Sequence, residues 1–134
     1  MADTIELEIV TPERLVINTR AEEVQIPGRG GYMGILPGHA PLISELAVGE
    51  ITYKLGGTTT RLSVAWGFAE VLPEKVTILA ETAELAEDID VPRAEAALAR
   101  AQQAIKDAED HAAYEAAAAA LARAEARLAV ASQK

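Results

Sequence analysis

The spacing of apolar residues changes once along this chain, near residue 90, and that change limits the folds open to it. Before it, apolar side chains recur at every second position. Ile5, Leu7 and Ile9 alternate with Glu6 and Glu8, the period of a strand with one face buried. Thr11-Pro12-Glu13 turns the chain, after which Leu15 and Ile17 resume the alternation. Val24 and Ile26 follow, ending at Pro27-Gly28. Ile51, Tyr53 and Leu55 lead into Gly56-Gly57, and Leu62 and Val64 lie beyond. Two glycines between alternating runs predict a tight hairpin, whose favoured turn needs positive φ at both central residues. Val76, Ile78 and Ala80 make a further strand after Pro73. Short strands with Gly and Pro punctuation predict a β-sandwich or flattened barrel over residues 1–86, the antiparallel sandwich being the architecture expected.

After Asp90 the steps become three and four. Val91, Ala94, Leu98, Ala101, Ile105 and Ala108 form one stripe; Tyr114, Ala117, Leu121, Ala124, Leu128 and Ala131 form a second. Glu109-Asp110-His111 separates them. The spacing predicts two amphipathic helices, and so short a break predicts that they run antiparallel. The expected fold class is α+β: the sandwich, then an antiparallel two-helix hairpin over residues 87–134. Its seam alternates alanine with larger aliphatics, so each turn buries little area and stabilises far less than a leucine seam, at about 25 cal/mol per Å². The hairpin is therefore expected to be marginal and able to swing away.

Composition narrows the function. The hydrophobic fraction of 50% is inflated by the alanines of the second half, and the large aromatics are only Trp66, Phe68, Tyr32, Tyr53 and Tyr114. The core is thus small. A net charge of −9 argues against nucleic acid and against adsorption to anionic lipid. No run reaches the ~18 apolar residues of a membrane span, and Asp3, Glu6 and Glu8 stand where a signal peptide would be basic and then apolar. Cysteine is absent, which excludes disulfides and thiol chemistry. The expectation is a soluble intracellular protein that meets a membrane only through a partner.

The most informative polar feature is four arginines in the hairpin. Arg93 and Arg100 lie two turns apart on the first helix, and Arg123 and Arg127 one turn apart on the second. With the turn centred near Asp110, all four guanidiniums fall within about 10 Å of hairpin length at the helical rise. Crowded like charges repel unless an anion or carboxylates sit among them, and arginine's planar fork suits phosphate oxygens. The plainer alternative is pairing with Asp88, Asp90, Glu95 and Glu125 on a solvated surface. Spacing leaves both readings open and favours the plainer one.

Catalytic signals are weak. Gly28-Arg29-Gly30-Gly31 lacks the Lys-Ser/Thr of a phosphate-gripping loop. His39 and His111 are far apart, serines stand only at 44, 63 and 132, and Glu87, Asp88 and Asp90 lack calcium-loop spacing. No catalytic residue and no metal site is expected. Trp66 and Phe68, alternating with small residues, are expected to pack in the core.

The run Gly34-Ile35-Leu36-Pro37-Gly38-His39-Ala40-Pro41-Leu42 resembles the signature loop of F-type ATP synthase epsilon subunits. Val10-Thr11-Pro12-Glu13, Trp66-Gly67-Phe68-Ala69-Glu70-Val71 with Val76-Thr77-Ile78-Leu79-Ala80, and the close Arg123 to Ala131 are similar to the family's other segments, in the right order over nearly the whole chain. The resemblance implies a non-catalytic rotor subunit at the cytoplasmic face of the bacterial plasma membrane, peripheral to it. It implies contact with the gamma subunit, with the ring of c subunits through the Gly28–His39 loop (Gly31, Tyr32, Met33 and His39), and with the alpha/beta catalytic head. Tyr32 departs from the acidic residue many relatives carry. The resemblance also implies that the hairpin acts as a brake on ATP hydrolysis, and that in some bacterial members its compact form binds ATP. The residues carried over are Glu84, Ile89, Asp90, Arg93, Ala94, Arg100, Arg123 and Arg127, with ATP a regulatory ligand and no cofactor required. With the resemblance, the anion reading of the arginines is preferred. Asp90 has a second role open to it, as a helix N-cap, and Pro92 is tolerable in a first helical turn.

Overall fold

The Gly56-Gly57 turn has φ of 58° and 81°, values that glycine adopts without a steric cost. It joins two strands in the computed structural model, which describes residues 3–132. Eight strands run in order: β1 Ile5–Val10, β2 Leu15–Ala21, β3 Glu23–Gly28, β4 Gly31–Ile35, β5 Leu42–Leu46, β6 Gly49–Leu55, β7 Thr58–Val71 and β8 Lys75–Leu85. A single turn of 3₁₀ helix, Ala86–Asp88, leads to α1 Val91–Asp107 and α2 His111–Ala131. The α+β reading holds. Two strands escape the periodicity argument: β4, whose sequence GYMGI does not alternate, and β5, which directly follows the glycine- and proline-bearing Leu36–Pro41 loop.

β7 is the spine. Its first half pairs with β6 and its second half with β5, while β8 runs beside both halves. β3 in turn pairs with β4, β5 and β6, so the sheet folds over on itself. All pairs are antiparallel except β1 with β8, which is parallel. The inner faces bury Ile5, Leu7, Ile9, Ile26, Ile35, Ile51, Leu62 and Ile78 completely, and these side chains supply most of the hydrophobic stabilisation.

Alternation along β7 slips where the strand bends. Leu62 and Val64 point into the core before the bend; Ala69 and Val71 do so after it, a change from even to odd positions. The slip occurs at Trp66 and Gly67, with φ of 50° and 131°. β8 slips opposite, its buried positions passing from Ala80 to Ala83. A Cβ on Gly67 would lie 1.9 Å from the carbonyl oxygen of Leu79, so only glycine fits. Phe68 consequently faces outward and is 52% exposed, and Trp66 is half-buried outside the core. The alternation with small residues places both in the core; the slip in phase reverses the face.

The helices begin on their own caps. Asp90 accepts the Arg93 amide at 3.1 Å, and Asp110 accepts the Ala113 amide at 2.7 Å, so each carboxylate satisfies an otherwise unpaired first-turn donor. Pro92 sits in the first turn of α1, where no intrahelical N–H is lost. Along the seam Ala94 and Ala101 of α1 and Ala117 and Ala124 of α2 are buried, whereas Tyr114 is 51% exposed. The seam is therefore more alanine-dominated than the stripe implies. A small apolar cluster of Ile89, Val130 and Ala131 anchors the base of the hairpin.

Candidate functional site

α2 lies across the outer face of β6 and β7. Ser63 and Ala65 point outward from β7, yet are 6% and 3% exposed because the helix covers them. A cleft of about 260 Å³ opens there, lined by Ser63, Ala65, Thr82, Glu84, Arg93, Arg123 and Arg127. Beside it a groove of about 430 Å³ runs between the helices, floored by alanines and edged by Arg100, Arg123 and Arg127. Arg123 and Arg127 thus face both spaces, with Arg93 at one side and Arg100 at the other.

One of the four arginines is neutralised. The Arg127 Nη2 donates to Glu84 Oε2 at 3.3 Å, and Nε lies 2.8 Å from Oε1. The Nε–H is not directed at that oxygen, so Nε is a buried donor without a hydrogen bond, a costly state for a charged group. Arg123 sets its guanidinium 5.1 Å from the centre of the Trp66 ring, within cation–π range. Among the described residues Arg93, Arg100 and Arg123 take part in no salt bridge. Of the carboxylates of the plainer reading, Asp88 is 4.0 Å from Arg14 and Asp90 caps α1, and among the described residues Glu95 and Glu125 take part in no salt bridge. Around the cleft the cationic groups exceed the anionic ones, and an anion there would meet guanidinium donors.

Ile89 is buried in the basal cluster, and Ala94 is buried in the helix seam. Glu84 projects from β8 towards Arg127, so it serves first as that residue's counter-ion. Sequence reasoning misses Trp66 as a site residue; the signal available is the change of alternation phase between Val64 and Ala69 around a Trp-Gly pair. No group of three metal-ligating side chains is found among the described residues.

The residues expected to meet partners do not gather at one point. Gly31, Tyr32 and Met33 belong to β4, whereas His39 lies in the loop that follows that strand. Tyr32 is 63% exposed, and its hydroxyl accepts the Glu50 amide at 3.0 Å. Met33 packs against the core, and His39 Nδ1 lies 2.7 Å from the Ala40 carbonyl oxygen. A different surface is more apolar. Leu15, Val10, Leu79 and Phe68 are cross-strand neighbours in a row over β2, β1, β8 and β7. Ile43 on β5 lies diagonally beyond Phe68 and is 74% exposed.

A folded-over β-sandwich carrying a docked two-helix hairpin defines the class. A family model described as ATP synthase, Delta/Epsilon chain, beta-sandwich domain matches residues 4–86, and one described as ATP synthase, Delta/Epsilon chain, long alpha-helix domain matches residues 87–132. An ATP synthase epsilon chain of Solibacter usitatus is 50% identical over 135 residues, covering 100% of both chains. One from Koribacter versatilis is 64% identical over 106 residues, 79% of this chain and 75% of that one. Among solved structures, a chain of the Euglena gracilis mitochondrial ATP synthase superposes with a TM-score of 0.84 at 25% identity, covering 96% of this chain and 82% of that one. The chain belongs to the ATP synthase delta/epsilon family, as a non-catalytic epsilon subunit of the bacterial type. No helix among the described residues is long and apolar enough to cross a membrane.

Proposed function

We propose that this epsilon subunit is part of the central rotor and that its hairpin senses ATP. The sandwich contacts the gamma subunit and the c-ring, and the complex holds the chain peripherally at the cytoplasmic face of the membrane. The compact hairpin binds ATP and leaves hydrolysis free; extended along gamma toward the alpha/beta head, it inhibits. The observation that carries the sensor reading is the cleft where Arg93 and Arg123, neither held by a carboxylate, meet the Glu84–Arg127 pair. The triphosphate would lie among Arg93, Arg100, Arg123 and Arg127. The alanine-floored groove next to them offers apolar wall for the base.

A ligand that binds only the compact form stabilises it by RT ln(1 + [L]/Kd), about 2.7 kcal/mol at a hundred times Kd. The alanine seam makes the hairpin's two states close in free energy, so a shift of that size moves the balance almost wholly to one side. Calorimetric titration of the chain with ATP should give a saturable heat below millimolar concentration. Arg93→Ala should weaken that binding at least tenfold, since a charge-assisted contact contributes about 1.5–3 kcal/mol. Absence of heat would leave a purely structural rotor subunit without nucleotide binding, and unchanged affinity in the variant would clear Arg93 of the role.

A further inference from the structure

Trp66 is the chain's single residue other than glycine at positive φ among those described, and its φ of 50° is costly for a bulky side chain. Strain of that kind persists only where the surroundings over-determine it. One such determinant is Arg123 of α2, which stacks over the indole at 5.1 Å. On β8, Glu84 holds Arg127, one turn further along the same helix. The rest of the contact between hairpin and sheet offers little grip. Apart from Val130, the buried residues of α2 are alanines, and the apolar cluster of Ile89, Val130 and Ala131 lies at the base, next to the connection.

We infer that Trp66 and Glu84 form a two-point clasp on the sandwich that grips Arg123 and Arg127 and fastens the hairpin in its folded-back position. The left-handed backbone at Trp66 aims the indole outward, away from the core, where it meets the helix. A glycine there would keep the bend but leave Arg123 nothing to stack on. The clasp holds the hairpin when no anion occupies the cleft. It is strongest at low ionic strength, because the Glu84–Arg127 pair is partly open to solvent, with side chains 32% and 22% exposed.

Hydrogen exchange of the full chain, without nucleotide, reads the clasp directly. Amides of β1 and β8 serve as the internal reference for the sandwich. Trp66→Gly should speed exchange along α2 by about three- to tenfold while β7, β1 and β8 keep their protection, since glycine accepts the backbone conformation. Glu84→Gln should speed the same amides by a similar factor, and wild type in 1 M salt should approach that variant. Two results would overturn the clasp. One is α2 exchange unchanged in both variants. The other is an equal loss of protection in sandwich and hairpin, which would make Trp66 an ordinary packing residue of the sandwich.

Discussion

Gly67 carries more of the architecture than its size suggests. It follows a left-handed Trp66, has φ of 131°, and brings its Cα against the Leu79 backbone so closely that a Cβ would stand 1.9 Å from the carbonyl oxygen. Backbone on both sides leaves no flexible atom to yield. Gly67→Ala is expected to destabilise the sandwich by about 3 kcal/mol or more, from the clash together with the strained φ. Urea unfolding followed by circular dichroism checks it, with the midpoint falling at nearly constant slope. Gly30 provides the control, since a Cβ there would meet no atom within 4 Å and its φ is not positive; alanine at that position should leave the midpoint almost unmoved. At this scale the sequence is legible for the arginines' side of the cleft and illegible for Trp66. Helical spacing places Arg123 and Arg127 on one face by arithmetic. Which face of β7 Trp66 meets depends on a one-residue slip in phase, and the Trp-Gly pair announces it only as a break between two alternating runs.

Among the elements, the hairpin is set by helix geometry and short connection alone, and the sequence therefore discloses it well. Asp110 caps α2 after a break of three residues, Ala108 to Asp110. What the stripe cannot disclose is that its larger members, Leu98, Leu121 and Leu128, stay half-buried while the alanines occupy the closest approach. Close approach fixes the prediction for this element. Ala124 is 2% exposed where the two helices approach most closely, and Ala124→Leu forces a branched chain between them and pushes the helices apart, costing about 1–3 kcal/mol. The loss should fall on the hairpin alone: helical amides of α1 and α2 lose protection, and those of β1 and β8 do not. β4 and β5 escape notice for the opposite reason to the helices. Five-residue strands carry too few positions for a period to show, and the pairing of β5 with β7 joins segments distant in sequence.

The whole molecule leaves one face of the sheet uncovered, and the hairpin defines where. α2 covers the outer side of β7 before the bend at Trp66, which is why Ser63 and Ala65 are buried. Past the bend the outer side carries Phe68 and Leu79, 52% and 54% exposed, in a row with Val10 and Leu15. Contiguous apolar side chains on one exposed sheet face mark an interaction surface more often than single exposed residues do. Glu70 and Glu81 stand at its margin, both exposed, so a partner with an apolar centre and basic rim suits it. Phe68→Glu lies outside the buried core and should lower the unfolding free energy of the isolated chain only modestly, by about 1 kcal/mol, through the lost cross-strand pair with Leu79 and the Glu45 carboxylate opposite. In the assembled rotor the same substitution should weaken retention of this subunit by about tenfold or more, because it sets a carboxylate in a desolvated contact. Co-purification with gamma and the c-ring measures that retention. Full retention of the Phe68→Glu chain would show that the exposed row faces water in the complex. The proposed contacts with gamma and the c-ring would then fall to Tyr32 and the loop that ends at His39.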